Sequence, residues 1–353
     1  MKICFFGDYD PKYARSRILI KGLEQNGVEV IECNVTKGGA MKKLRELYLK
    51  HKKIGPYDVM VVSQGGFRLM PVFARLITRA PIVWEPLFSL HDAWVYDRKL
   101  TSPHTGKAVL YWLIDWCGSV FTDLTLLDTK GNADYFIHTF YLSPKKLLVA
   151  FIGADPDVFF PKPRTSSQDI FEIEFHGKYI PVQGTDVLVR AAKLLSDDPN
   201  IHFTMIGSGQ EGKRTEELAK SLGVTNITFH GFLPQAEIAG YIANADVCIG
   251  LIGDVPRVGR AIPNKLYEAA AMGRVSINVE GVSIREVFQP GVNVVTIKQG
   301  NAEDVAQKIR ELKNDRARVM QMGEAALKTF GARVTPGAIG MQLKEDLERL
   351  LSR

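Results

Sequence analysis

Residues 171–195 read FEIEFHGKYIPVQGTDVLVRAAKLL, and their reading decides the fold. Phe171 to His176 has the length and apolar content of a strand. Gly177 to Gly184 is a turn with a glycine at each end. Thr185 to Leu195 then places apolar residues at helical spacing. Strand, glycine-bounded turn and helix together open a β-α-β unit. The alternation continues downstream through strands at 201–206, 227–229, 247–250, 275–278 and 294–297, with helices at 185–195, 211–222, 236–244 and 264–272. Helices at 303–330 and 338–352 close the chain.

Working back toward the first residue, the same pattern appears. MKICFF is a short apolar run ending at Gly7-Asp8. Ile18, Leu19, Gly22 and Leu23 lie at helical spacing before Gly27, and Val28 to Ile31 is a strand. Residues 58–63 and 80–84 are further strands. Short continuous apolar strands suit parallel sheets covered on both faces. The stretch Pro161-Lys162-Pro163-Arg164-Thr165-Ser166-Ser167 is rich in Pro and Ser and marks a boundary. The chain is therefore expected to form two consecutive doubly wound α/β domains, 1–163 and 164–337, with a C-terminal helix over 338–353. Such sheets bind ligands beyond the carboxyl ends of their strands.

Composition narrows the function. At 353 residues, 46% hydrophobic and 24% charged, the chain is globular rather than disordered. It has no apolar run long enough to span a bilayer and no signal-like leader, so a cytoplasmic location is expected. Four scattered cysteines, none in a C-x-x-C, read as free thiols in a reducing compartment, and no zinc-ligand cluster is present. Residues 1–165 hold 23 Lys+Arg against 16 Asp+Glu. The remainder is close to neutral, so the excess positive charge sits in the first half. It points to an anionic partner of that half.

The turns of the second half carry the candidate chemistry. Lys178 and Gln183 lie in the turn after the first strand, Gly207 in the next (IGSG), and Gly231 and Phe232 in FHGFLP. Each puts backbone or a cation where an anion or a flat ring would lie. The densest segment is GDVPRVGRAIPNKLYEAAAMG, residues 253–273. Asn264 reads as a helix N-cap. Arg257, Arg260 and Lys265 crowd a helix start that already favours anions, so an external anion accounts for them. Glu268, one turn in, can accept two hydrogen bonds from vicinal hydroxyls such as those of a ribose. A solvated loop and an ordinary helical Glu is the competing reading. In the first half, Glu85, His91, Asp92, Asp97 and Arg98 follow a strand. A carboxylate near a histidine suits proton handling at an acceptor hydroxyl. Gly7, Asp8 and Tyr9, with Arg15 and Arg17, either meet a ligand or form the first turn.

In order and spacing these segments resemble glycosyltransferase family 4. The resemblance runs through GKYIPVQG, IGSG, FHGFLP, ANADV, IPNKLYEAAAMG and Arg285-Glu286 in the second half. In the first it runs through GDYDPKYARSR, WEPLFSLHDAWVYDR and FIGADPDVFFP. It implies the GT-B fold, two Rossmann-like domains facing across a cleft. The first domain would take the acceptor and the second a nucleoside-diphosphate sugar, with the last helix packing back toward the first. It implies transfer with retention of configuration, the leaving phosphate oxygen taking the acceptor proton, and no metal or other cofactor. Residue by residue, Glu268 would bind the donor ribose and Lys178 the diphosphate. Gln183 stands where the family has a lysine, and Arg260 where it has the first of two glutamates. A histidine of the 85–98 loop, with His91 the candidate, would face the transferred sugar. Arg257, Arg260 and Lys265 would restore the charge missing at Gln183.

Residues 41–53, MKKLRELYLKHKK, join six Lys/Arg to an apolar stripe of Met41, Leu44, Leu47 and Tyr48. Such a helix docks on an anionic membrane at its inner face, or buries the stripe and leaves its cations in water. The lipid-linked acceptors of many family members favour the first. Nucleic acid is not an expected partner, since no recognition motif accompanies the charge. Three other readings stay open. A sugar-nucleotide epimerase would keep the nucleotide site. A catalytically degenerate scaffold would account for Gln183 and Arg260. A dinucleotide oxidoreductase would need a G-x-G-x-x-G after a first strand, which neither half has.

Overall fold

Parallel strands need a crossover between them, and here a helix supplies most crossovers. The computed structural model describes residues 1–63, 65–167 and 169–352. The chain divides into two compact units, Met1–Gly153 with Val334–Arg353, and Ala154–Arg333.

The first unit runs β1 (Lys2–Gly7), α1 (Ala14–Gln25), β2 (Glu29–Asn34), α2 (Ala40–His51), β3 (Val59–Val62), α3 (Met70–Ile77), β4 (Ile82–Trp84), α4 (Gly106–Val120), β5 (Leu124–Leu127), α5 (Lys130–Phe140) and β6 (Leu147–Val149). Its parallel sheet has the order β2-β1-β3-β4-β5-β6. The order reverses between β1 and β3, a switch point of the flavodoxin type. β1, β3, β4 and β5 are buried along almost their whole length, as strands covered on both faces must be. Leu47 of α2, Met70 and Ala74 of α3, and Phe136 and Phe140 of α5 join one core, against which Trp112 and Trp116 of α4 pack. These four helices thus cover the same face of the sheet.

The second unit runs β7 (Phe171–Lys178), α6 (Thr185–Leu194), β8 (Ile201–Ser208), α7 (Gly212–Ser221), β9 (Ile227–His230), α8 (Gln235–Asn244), β10 (Val247–Ile249), α9 (Asn264–Ala271), β11 (Val275–Val279), α10 (Ile284–Val287), β12 (Val295–Ile297), α11 (Ala302–Asn314) and α12 (Arg316–Arg333). Its sheet order, β12-β11-β10-β7-β8-β9, is that of a dinucleotide-binding fold, with its switch point between β7 and β10. The single helix expected over 303–330 is two, because Asp315 leaves helical geometry and its Oδ1 accepts the Arg318 N–H at 3.0 Å, capping α12.

The last helix, α13 (Pro336–Leu351), returns to unit 1 and lies on α1. The crossing is backbone on backbone. A Cβ on Gly22 would stand 2.2 Å from the Pro336 carbonyl oxygen, and one on Gly340 2.0 Å from the Gly22 carbonyl carbon. The Pro/Ser-rich stretch read as the boundary belongs to unit 2. Arg164 pairs with Asp246 at 2.7 Å, and Asn244 Oδ1 accepts the N–H groups of Thr165 and Ser166. The units divide upstream of it, at Gly153. Composition marks where a chain lacks a core of its own, whereas these contacts decide which unit holds it.

Gly22→Val should force α1 and α13 apart and lower the stability of unit 1 by about 1–3 kcal/mol. Urea denaturation followed by circular dichroism measures this, and an unshifted midpoint would show that α13 docks without close contact.

Candidate functional site

β7 alternates Glu172, Glu174 and His176 along one face of an otherwise apolar strand. At its carboxyl end His176 is clamped between two carboxylates. Its Nδ1 lies 2.8 Å from Glu174 Oε1, and its Nε2 lies 2.7 Å from Glu268 Oε2 on α9. All three side chains are buried. Burial disfavours the imidazolium, but Glu174 and Glu268 together outweigh it and push the His176 pKa up to about 9. A charged histidine thus ties β7 to α9 across the switch point.

Lys265 precedes Glu268 by one turn of α9. It is only 4% exposed. Its Nζ donates to Gln183 Oε1 at 2.7 Å and sits 3.7 Å from the centre of the Phe175 ring. Burial pulls the amine down to about pKa 7, against the opposing pull of Glu174 and Glu268. Lys265 is therefore not an exposed cation at the helix start, as its spacing implied. Its side chain turns inward because α9 is buried along nearly its whole length. Asn264 also departs from expectation. Pro263 holds the N-cap position, and Asn264 is the first helical residue, with no capping bond from its side chain.

The turns after β7 and β10 meet directly. Gly184, in left-handed conformation at φ 69°, opens α6 at a point where a Cβ would stand 2.5 Å from the Gly253 nitrogen. This contact brings Gln183 to the segment leading into α9. Lys178 is exposed at the end of β7, and Gly207 lies near the end of β8, paired with Gly177. Gly231 and Phe232 follow β9, and the Phe232 ring is 84% exposed. Arg257 lies in a short 3-10 turn, Pro256–Gly259, and Arg260 follows it; both are half-buried. The second-half candidates thus stand at or beyond the carboxyl ends of β7 to β10, or on α9.

In unit 1, Gly7 ends β1 and Asp8 follows it. Asp8 Oδ2 pairs with Lys43 Nζ at 3.0 Å and accepts the Phe67 N–H at 3.2 Å, joining the turns after β1 and β3. Tyr9 is buried and donates to Glu32 at 2.7 Å. Arg15 is buried too, with its Nε 3.3 Å from Glu85 Oε1 and its Nη1 donating to the carbonyls of Ala150 and Phe151. Residues 8–13 thus form the connection from β1 to α1. Glu85 is fully buried against that guanidinium. This corrects its expected part in proton handling, because an ion pair closed on both sides holds β4 to α1 and offers no edge to an acceptor.

His91 remains half-exposed. Its Nδ1 lies 3.3 Å from the Tyr135 hydroxyl, and its ring meets Tyr96 edge-on. Burial lowers its pKa, with Asp92 opposing, so it is a neutral imidazole near pH 7. Asp92, buried, begins a π-helical turn, Asp92–Asp97, of a kind frequent at functional sites. Asp115 of α4 holds the loop from beneath. Its Oδ2 accepts the Ser89 hydroxyl at 2.7 Å and the His91 N–H at 2.9 Å, and burial pushes its pKa up to about 6.

The sequence reading missed Glu174, His176 and Asp115. The signal for the first two was polar residues two apart in a buried strand. For Asp115 it was a lone carboxylate in YWLIDWCGSV. On α2, Leu47 is buried and Leu44 packs against the same core, so the fold takes up half of the proposed membrane stripe and leaves mainly cations outside. Among the described residues no group of three His, Cys, Asp or Glu side chains is placed to hold a metal, and no helix is long and apolar enough to cross a membrane.

Residues 171–315 match the family model described as glycosyl transferases group 1. The chain is 25% identical over 244 residues to a D-inositol 3-phosphate glycosyltransferase of Geodermatophilus obscurus, covering 64% of this chain and 51% of that one. It is 26% identical over 213 residues to the amylovoran biosynthesis glycosyltransferase AmsK of Erwinia amylovora, covering 58% and 51%. It spans about half the length of these curated relatives. Among solved structures, HepE of Anabaena in complex with UDP-glucose superimposes with a TM-score of 0.72 at 18% identity, over 99% of this chain and 100% of that one. The chain is therefore similar to glycosyltransferases in sequence through its second half, and its fold is GT-B.

The charged His176 contributes stability that is complete below about pH 6.5 and is lost as pH rises through about 9. Lys265, lowered from 10.5 to about 7, acts in the opposite sense over part of that range. The imidazole itself is the cleaner observable. Its NMR titration should show His176 protonated at pH 7, and Glu268→Gln should move its midpoint down. A midpoint near 6.5 in the unaltered protein would remove the clamp.

Proposed function

We propose that this protein is a retaining glycosyltransferase of family 4. It moves a hexose from a UDP-sugar to a glycan or lipid-linked acceptor, in the synthesis of a cell-surface polysaccharide or glycolipid. One observation carries the reading: the Glu174–His176–Glu268 clamp, with Lys265 beside it, stands at the switch point of unit 2, where such sheets take a nucleotide. The UDP-glucose carried by HepE and the part of AmsK in amylovoran biosynthesis support the choice of donor and of a biosynthetic transfer.

In this reading His176 holds Oε2 of Glu268, which orients the carboxylate and leaves Oε1 for the ribose hydroxyls. Lys178 is a point charge for the diphosphate. Gln183 has lost the positive charge expected there, and Lys265 returns it from the opposite side of the same turn, through its bond to Gln183. Arg257, Arg260 and the start of α9 at Asn264 add positive potential. Gly207, Gly231 and the exposed Phe232 provide backbone and a ring face for the base. Gly7 closes the turn after β1. The bond from the anomeric carbon to the β-phosphate oxygen breaks. The acceptor oxygen bonds to the same face of that carbon, and its proton passes to the leaving phosphate oxygen. Cations and helix dipole stabilise the charge that develops there, and no metal is required. His91 orients the sugar or its acceptor hydroxyl, and Asp92 sets the loop behind it. The protein works in the cytoplasm, at the inner face of the membrane.

Glu268→Ala should weaken UDP binding about ten- to a hundredfold, the range for losing charge-assisted hydrogen bonds. Calorimetry against UDP, GDP and ADP measures this and the choice of base together. Lys265→Met should weaken UDP binding as well, and adding Gln183→Lys to it should restore affinity. His91→Ala should lower kcat for transfer while leaving UDP affinity unchanged. NMR of the product's anomeric proton reports retention. UDP binding without turnover of any UDP-sugar would favour a degenerate scaffold, and failure to bind any nucleotide would overturn the reading.

A further inference from the structure

An ammonium group carries three N–H donors, and its burial is tolerated only when acceptors meet them. Lys265, buried at the start of α9, is short of acceptors. Among the described residues its Nζ has one, Gln183 Oε1 at 2.7 Å. On another side Nζ lies 3.7 Å from the centre of the Phe175 ring. On a third it faces the backbone of Gly177, where a Cβ would stand 3.3 Å from it. The neighbouring carboxylates are committed elsewhere, since Glu174 Oε1 and Glu268 Oε2 both hold His176. A charged Lys265 thus has two N–H directions without a hydrogen-bond acceptor.

The neutral amine suits this surrounding, because it gives one N–H to Gln183 and leaves no charge to satisfy. Burial accordingly pulls Lys265 down to about pKa 7, so both forms are present near neutral pH. Glu174 of β7 and Glu268 of α9 favour its charge. The Cys248 thiol of β10, pushed well up by burial, stays protonated. His176, held between the two carboxylates with a pKa of about 9, stays largely charged up to pH 8. What the amine lacks is an anion. A diphosphate over the turn from Gly177 to Gly184 supplies one, and Gln183 there is only half-buried. At about 6 Å and an effective dielectric near 20, one negative charge raises a neighbouring amine by about two pKa units.

We propose that Lys265 takes up a proton when the donor's diphosphate binds, so that loading of the nucleotide site is coupled to pH. A proton passes from water or buffer to the lone pair of Nζ, and no other bond forms or breaks. Empty, the site avoids a buried charge with unmet donors; loaded, it holds an ammonium beside the phosphates. Release of the nucleoside diphosphate returns the proton. Resting on the transferase reading above, which sets the diphosphate at this turn, the coupling has a fixed sign. Protonation and binding favour each other, so donor affinity is greatest below about pH 7. It falls as pH rises and levels off above the raised pKa of the loaded site.

The test is calorimetry of UDP-glucose binding to the whole protein at pH 6 and pH 8, each in two buffers of different ionisation enthalpy. UDP-glucose replaces UDP because its diphosphate has no group that titrates in this range. The dependence of the observed heat on the buffer gives the protons taken up. An amine near pKa 7 that rises by about two units should take up about 0.8 proton at pH 8 and about 0.1 at pH 6. Affinity should fall about tenfold between the two. Lys265→Met should show neither effect. Should it bind too weakly to read, adding Gln183→Lys supplies a more exposed cation, and the double variant should bind with uptake near zero at both pH values. Binding without uptake by the unaltered protein would overturn the proposal and leave the transferase reading standing. Uptake that persists in the double variant would overturn it too, since the proton would then go to another group such as His176. Failure to bind any nucleotide would overturn both.

Discussion

The imidazolium of His176, held between Glu174 and Glu268, is the interaction around which the second unit is arranged. It spans the one place in the sheet where the strand order reverses and no crossover helix closes the gap. A buried carboxylate on each side would be costly alone, and a buried imidazolium equally so; together they are tolerable. Fixing α9 to β7 also fixes Lys265, and through it Gln183 and the turn that opens α6. A ligand entering here would meet a carboxylate and an amine whose positions are set before it arrives, so little ordering remains to be done on binding.

The first unit places its charges by a similar rule. Arg15 and Glu85 neutralise each other in the interior, and Asp8 is held by Lys43 and the Phe67 amide. Both sets gather the carboxyl ends of β1, β3 and β4. His91 stays partly exposed, on a loop whose backbone is pinned by a carboxylate from a neighbouring helix. Rigid support below and a half-exposed imidazole above is the usual division of labour between scaffold and loop.

The architecture was legible because β-α-β units announce themselves twice, in short apolar strands and in glycines at the turns after them. The turn YIPVQG and the segment IPNKLYEAAAMG both sit where their pattern placed them, after β7 and β10. The details that escaped were those set by tertiary packing. Lys265 and Asn264 lie at a helix start, where spacing alone predicts exposure, but α9 is buried nearly all round. Glu85 sits in a loop rich in acids and aromatics, and only the fold brings Arg15, 70 residues away in sequence, against it. Glu174 and His176 were hidden by a strand assignment that treated their positions as core. In each case the missing information was which residue from a distant segment stands opposite.

The return of α13 to α1 has a consequence for synthesis. Unit 1 has made all six of its strands by residue 149, yet the surface of α1 around Gly22 stays uncovered until Pro336–Leu351 leaves the ribosome. In between, the whole of unit 2 is made, and its core draws on no residue outside 154–333. Folding therefore cannot simply proceed from the amino terminus. The earlier unit must wait, with one helix face in water, while the later one completes, and a segment made after unit 2 closes unit 1.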